Sequence, residues 1–250
     1  MIPKLIHYVW FGGKPYNPTI EKCIDSWQRV LVPAGYELKK WDESNCPWEL
    51  PYVRQCHKFG RWALLSDYVR LYALKTCGGI YLDTDVEVFK PFDPLLGDSC
   101  FIGFEETDPA LAKRWIGNAV MAAEAEGGGH PFVEECLEAM LLSFRIHLKP
   151  QYGVRIANCV LRNHGLSRYG DQEILVGPAK TVHVYPQEIL HPPRTEGGVT
   201  AAAYCKHWMQ ASWHKKRGLS HQWASLRYKS ARLLPTLYGK ATVRTQFRWW

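Results

Sequence analysis

Two carboxylates one residue apart, Asp83 and Asp85 in the run Gly78-Gly79-Ile80-Tyr81-Leu82-Asp83-Thr84-Asp85, are the side chains best spaced to share a cation. In an extended chain residues i and i+2 project to the same face, so both carboxylates reach one ion. Hard oxygen donors of this kind suit Mg²⁺ or Mn²⁺, which keep coordination positions for phosphate oxygens and water. The pair closes a short apolar strand, and open α/β sheets bind ligands beyond the carboxyl ends of their strands. A bare D-x-D also describes a solvated strand end, so its surroundings matter. Upstream, Ser66-Asp67-Tyr68-Val69-Arg70 sets an acid and a base on one helix face. Alone, that pair also fits a surface ion pair worth about 0–1 kcal/mol.

The elements that must position these groups follow from local pattern. Residues 4–11, rich in β-branched and aromatic side chains, read as a buried strand stopping at Gly12-Gly13. Asn17 then caps a helix with Pro18 in its first turn and Ile20, Ile24, Trp27 and Leu31 on one face. Residues 36–41 form a second strand. From 61 to 77, Leu64, Leu65, Tyr68, Leu71, Tyr72 and Leu74 recur at helical spacing until Gly78-Gly79 ends the helix, and the strand 80–82 follows at once. Residues 100–104, 119–123 and 181–185 read as strands and 131–145 as an amphipathic helix, while 146–180 has no readable boundaries. Strands alternating with helices predict an α/β domain with a mostly parallel sheet covered on both faces.

The chain has 250 residues, 46% hydrophobic and 22% charged, which fits one large globular domain and excludes collagen, coiled coil and general disorder. No run approaches the roughly 18 apolar residues of a membrane span, and the N-terminus has no apolar leader. The eight cysteines are widely spaced without a C-x-x-C pair, which reads as reduced thiols and a cytoplasmic location. Net charge is +7 and unevenly placed. Residues 214–250 hold nine Lys and Arg with no acid, leaving the first 213 residues with 22 basic against 24 acidic side chains. The chain therefore divides into a near-neutral domain, 1–213, and a basic amphipathic tail, 214–250.

The order Ile2-Pro3-Lys4-Leu5-Ile6-His7-Tyr8-Val9-Trp10, Ser66-Asp67-x-x-Arg70, Gly78 to Asp85, then His207-Trp208 and Ser212-Trp213 resembles the DxD-containing sugar transferases. That family includes fungal α-mannosyltransferases, capsule-type glycosyltransferases and the catalytic domains of clostridial glucosylating toxins. The resemblance runs from residue 3 to about 213. It implies a GT-A fold, a nucleotide-sugar donor with UDP ahead of GDP, a divalent metal, and transfer of a hexose to a saccharide acceptor with retained configuration. Carried onto this chain, Trp10 stacks on the donor's base, Asp67 accepts hydrogen bonds from its hydroxyls, and Arg70 holds sugar or diphosphate oxygens. Tyr81 lines the donor pocket, Asp83 holds ribose or metal-bound water, and Asp85 ligates the metal. His207 or Ser212 completes the metal shell, Trp213 covers the diphosphate, and Asn118, Glu105 and Glu106 contact the acceptor.

In the tail, Leu219, Trp223, Leu226, Leu233 and Leu237 follow helical spacing among basic residues. Such a segment suits an anionic membrane surface, which would place a lipid-linked saccharide acceptor on the inner leaflet, in capsule or other surface-polysaccharide synthesis. A helix packed on the domain fits the same pattern. No nucleic-acid module accompanies the charge, so nucleic acid is not an expected partner. Two rival readings remain: a phosphatase of the haloacid dehalogenase type, whose core also has a strand ending in D-x-D, and a non-catalytic module binding membranes or partners.

Overall fold

The computed structural model describes residues 1–107, 115–146, 152–193 and 197–210. Strands β1 (Leu5–Val9), β2 (Glu37–Trp41), β3 (Gly79–Leu82), β5 (Cys100–Phe104), β6 (Ile116–Ala123), β7 (Gln172–Val176) and β8 (Lys180–Tyr185) form one sheet in the order β2-β1-β3-β6-β5-β8-β7. The pairings β1–β2, β1–β3 and β5–β8 are parallel, and those of β6 with β3 and β5 and of β7 with β8 are antiparallel. All strands but β6 and β7 thus run one way, the mostly parallel α/β sheet the pattern predicts. The same end of the sheet therefore collects the residues after β1, β3 and β5 and those at the start of β6: Trp10, Asp83, Glu105 and Asn118.

Helices cover both faces. Helices α2 (Pro51–Lys58), α3 (Trp62–Cys77), α4 (Pro131–Ile146) and α5 (Gly153–Asn163) lie over one core, built around Leu65, Val69, Phe132 and Val160. Helix α1 (Pro18–Val30) covers the other, around Trp27, Ile80, Leu82 and Phe101. Asn17 caps α1 as its sequence predicts, accepting from the Ile20 N–H at 3.0 Å. Because β3 is buried on both faces, Ile80 and Leu82 enter the α1-side core while Tyr81 points to the α3 side. A short α6 (Gln187–Leu190) follows β8, and β9 (Cys205–His207) pairs antiparallel with β4 (Val86–Val88) in a separate two-stranded ribbon.

The boundaries within 146–180 resolve into α5 and β7. Apolar Ile174-Leu175-Val176 hides the alternation of β7, because Leu175 is exposed while its neighbours are buried. The three-residue strands β4 and β9 have no sequence period to read, whereas α2 buries Tyr52, Val53 and Cys56 at helical spacing. All eight cysteines are free thiols. Among the described residues no helix is long and apolar enough to cross a membrane. The tail 214–250, with Ser212 and Trp213, lies outside the described residues.

The junction that aims β3 is held by His7, which is fully buried. Its Nε2–H donates to the Gly78 carbonyl at 2.7 Å and its Nδ1 accepts from Trp41 Nε1 at 3.0 Å. Burial lowers its pKa to about 4, so the imidazole stays neutral in this tautomer. Next to it Gly79 takes φ +104°, and a Cβ there would lie 2.4 Å from the Leu5 carbonyl oxygen. Gly79→Ala therefore combines a disfavoured backbone with a collision inside the sheet. We expect a loss of about 3 kcal/mol or more in stability, read as urea or thermal unfolding. An unchanged midpoint would contradict the close approach of β3 to β1.

Candidate functional site

The centre of the site is a buried arginine. Arg70, on α3, is 5% exposed, and Asp67 one helical turn before it is 6% exposed. The surface ion pair that their spacing also allowed is thus excluded. One guanidinium nitrogen lies 3.2 Å from Asp67 Oδ1 and 3.2 Å from Asp83 Oδ1, and 3.4 Å from the Ser66 hydroxyl; another donates to the Asn118 carbonyl. Its face rests on the Tyr81 ring, 4.4 Å from the centroid. Burial works against the charge of Arg70, but Asp83, Tyr81 and Asp67 outweigh it and raise its pKa further. The Tyr81 hydroxyl donates to Asp83 Oδ1 at 2.8 Å and lies 3.1 Å from Ser66 Oγ. Helix α3, strand β3 and strand β6 are thereby joined through one cation.

Asp83 and Asp85 do converge, although not as an extended pair. The chain leaves β3 in a turn, with the Asp83 N–H bonded to the Ala119 carbonyl at 2.8 Å and the Val86 N–H returning to the Asp83 carbonyl at 3.0 Å. The ribbon β4–β9 then brings in His207, which is paired with Val86. One ligand atom from each of Asp83, Asp85 and His207 lies within 4.8 Å of the others. His207 Nε2 is 3.3 Å from Asp85 Oδ1, and its Nδ1 is 3.7 Å from Glu105 Oε1. Asp85 is further held by the Gln210 N–H at 2.6 Å on Oδ2 and the Trp208 N–H at 2.9 Å on its carbonyl.

The charges in this group are strongly shifted. Burial raises the Asp83 carboxyl above its usual range despite Arg70, with Asp85 adding to the rise. For Asp85 burial acts in the same direction, but the hydrogen bond and charge of His207 prevail and lower it. His207 itself is raised to about 10, since Asp85 and Glu105 overcome its burial. Without a metal the imidazole therefore carries the positive charge that offsets the two aspartates. Two carboxylates and one imidazole suit Mn²⁺ and accommodate Mg²⁺ less well, because nitrogen is the softer donor. At 3.7 Å from Glu105 the buried Nδ1 of His207 makes no close hydrogen bond, and the residue is held through Nε2 to Asp85 and through the pairing of β9 with β4.

Other expected residues surround this centre at varied distance. Trp10 is half-buried at the end of β1, its Nε1 donating to the Lys14 carbonyl at 2.7 Å and its ring edge-on to Tyr16 at 4.9 Å. Asn118 meets Asp67: its Nδ2 donates to Asp67 Oδ1 at 3.0 Å. Glu105 faces His207. Two further groups had no role assigned from the sequence. Trp208, whose Nε1 donates to Glu87 at 3.1 Å, is flanked by the ammonium groups of Lys22 and Lys206 at 5.0 and 4.4 Å from its ring. The Gly153 N–H donates to Asp67 Oδ2 at 2.8 Å from the stretch without readable boundaries.

Comparison with known proteins finds relatives for part of this chain. Residues 19–102 match the family described as glycosyltransferase sugar-binding region containing DXD motif. An inositol phosphoceramide mannosyltransferase of Schizosaccharomyces pombe is 25% identical over 146 residues, 54% of this chain and 42% of the relative. An uncharacterized glycosyltransferase of Acanthamoeba polyphaga mimivirus is 28% identical over 149 residues, 57% of each chain. The chain thus spans about half the length of these relatives. Among solved structures, a galactosyltransferase in complex with donor and acceptor sugar analogues superposes with a TM-score of 0.51 at 13% identity, covering 91% of this chain and 95% of that one. That likeness shows a shared GT-A fold. The matched region contains Asp67, Arg70, Asp83 and Asp85, so over residues 19–102 this chain is similar to the sugar-binding region of the DXD-containing glycosyltransferases, the family that the order of its motifs resembles.

Proposed function

We propose that this chain is a metal-dependent glycosyltransferase that moves a hexose from a nucleotide sugar to a saccharide acceptor with retention of configuration. The observation that carries the reading is the convergence of Asp83, Asp85 and His207 beside buried Arg70 at the carboxyl end of β3, with both aspartates and Arg70 inside the stretch that matches a DXD sugar-binding region. Asp85, Asp83 and His207 would hold Mn²⁺ or Mg²⁺, which supplies charge neutralisation to the departing diphosphate. Trp10 offers its ring to the base, UDP being the donor class favoured over GDP. Asp67 accepts from hydroxyls of the donor, Tyr81 lines the donor pocket, and Arg70 adds a fixed positive charge where negative charge develops. Ser212 and Trp213 are the candidates for covering the diphosphate. In the front-face route, the bond from the anomeric carbon to the diphosphate breaks while the acceptor oxygen bonds on that same face. The acceptor's proton passes to the departing phosphate oxygen, so no protein nucleophile is needed. Asn118, Glu105 and Glu106 border the acceptor side.

The acceptor assigned is a lipid-linked saccharide, as in capsule or surface-polysaccharide synthesis. The support is the charge of the tail, nine basic residues and no acid over 214–250, which suits an anionic cytoplasmic leaflet. Full-length chain is expected to sediment with phosphatidylglycerol-containing vesicles, and a chain ending at residue 213 is not. Equal sedimentation of the two would end the membrane assignment.

The catalytic reading is tested by nucleoside diphosphate release from UDP-glucose, UDP-galactose, UDP-N-acetyl hexosamines and GDP-mannose with Mn²⁺. One donor class is expected to turn over, with loss in EDTA and recovery on adding Mn²⁺. Asp85→Asn should lower the rate about 10²–10³-fold while the melting midpoint holds within a few degrees. Phosphate release from sugar phosphates without any nucleotide, or turnover indifferent to EDTA, would overturn it.

A further inference from the structure

Behind the D-x-D turn, a third carboxylate faces His207 from the side away from Asp85. Glu105 follows β5 directly, and its backbone is fixed twice: its N–H donates to the Trp115 carbonyl at 2.9 Å, and its carbonyl accepts from Gln187 Nε2, on α6, at 2.6 Å. Its side chain is 13% exposed, and Oε1 lies 3.7 Å from His207 Nδ1, just beyond hydrogen-bond reach. The other ring nitrogen, Nε2, is 3.3 Å from Asp85 Oδ1. The imidazole is therefore strung between two carboxylates. Only one of these, Asp85, belongs with Asp83 to the convergent group of ligand atoms. A buried histidine backs the arrangement. His191, directly after α6, is 4% exposed, and its ring stands edge-on to that of His207 at 6.3 Å. Gly103 and Gly117, paired across β5 and β6, make room for it, since a Cβ on Gly117 would lie 2.7 Å from His191 Nε2. Burial lowers the His191 pKa to about 4, so this ring is neutral and leaves the charge of Glu105 to His207.

We infer that Glu105 is the positioning carboxylate of the cation site, accepting the Nδ1–H of His207 so that Nε2 is presented to the ion. The inference rests on the metal-dependent reading and deepens it. A neutral imidazole has one N–H and one lone pair, so a ring that gives Nε2 to a cation must keep its proton on Nδ1. Here Nδ1 is buried, and a buried N–H left without an acceptor is costly. Glu105 Oε1 is the charged acceptor that faces it. A carboxylate in that place fixes the tautomer and the ring orientation, and it strengthens the imidazole as a donor to the ion. Glu105 thus acts through His207, and the pinning of its backbone by β6 and α6 keeps the carboxylate in register with the ribbon β4–β9.

The test measures Mn²⁺ affinity of the full chain by calorimetry, without nucleotide or sugar, in a double-mutant cycle of Glu105 with His207. Glu105→Gln, which keeps the shape and removes the charge, should weaken Mn²⁺ binding about 10–100-fold. The nitrogen coupling of His207 in the paramagnetic resonance spectrum should persist, because the ligand set is unchanged. In a His207→Gln background the same Glu105→Gln change should alter Mn²⁺ affinity less than about twofold, since the group it acts through is gone. Glu105→Asp, which restores the charge one methylene short, should recover part of the loss, and it carries the cycle if Glu105→Gln does not fold. Wild-type Mn²⁺ affinity in folded Glu105→Gln, or an equal loss with and without His207, would overturn the inference. Failure of the wild-type chain to bind Mn²⁺, or binding indifferent to His207→Gln, would instead remove the cation site itself, and this inference with it.

Discussion

A guanidinium 5% exposed is an expensive object to bury, and the site is organised around satisfying it. Arg70 draws Asp67 from its own helix, Asp83 from the end of β3, the Asn118 carbonyl from β6 and the face of Tyr81 to one point. Remove that charge and the buried Asp67 and half-buried Asp83 carboxylates would lie close together uncompensated. With it in place, α3 is locked to the sheet at the strand end where the D-x-D turn begins. The consequence for function is that Asp83 is fixed from beneath, by Arg70 and Tyr81, while Asp85 is fixed from the opposite side by His207 and by the backbone at Trp208 and Gln210. A cation between them would meet ligands already held in place, the condition under which metal affinity and geometry are both set by the protein.

Much of this was legible before the structure. The cap and buried face of α1, the end of α3 at Gly78, the strand over Ile80–Leu82, and the shared face of Asp67 and Arg70 all follow from short-range rules, although Gly78 ends α3 at φ 61° and ψ −168° and not in the left-handed helical conformation. The D-x-D spacing pointed to one cation for a reason that needed amending: the two carboxylates meet across a turn and not along a strand. The burial of Arg70 could not be read, because i and i+3 spacing describes a surface pair and a buried pair equally well. It depends on β3 and β6 arriving over the same helix face, a long-range event.

The remaining parts of the site come from segments with weak local signal. His207 reaches Asp85 only because a three-residue strand pairs with β4, and such a strand has no period. Gly153 sits where no boundary was readable, yet it caps the interaction of Asp67 with α5. The antiparallel β6 explains why Asn118, 48 residues after Arg70 in sequence, lies against it: inserted between β3 and β5, it delivers its first residues to the end of the sheet that carries the ligand groups. Tertiary pairing, and not local propensity, decides these positions.

The account stands on Asp83, Asp85 and His207 acting as one cation site, and Mn²⁺ binding followed by electron paramagnetic resonance addresses it without any substrate. The full chain is expected to bind one Mn²⁺ with a nitrogen hyperfine coupling from His207. Because a proton held with a pKa of about 10 must leave that imidazole first, the apparent affinity should weaken as pH falls from 8.5 to 6.5, by up to about tenfold per unit. His207→Gln should erase the nitrogen coupling and flatten the pH dependence. Tight Mn²⁺ binding with no nitrogen coupling, or a spectrum unchanged in His207→Gln, would contradict the site described.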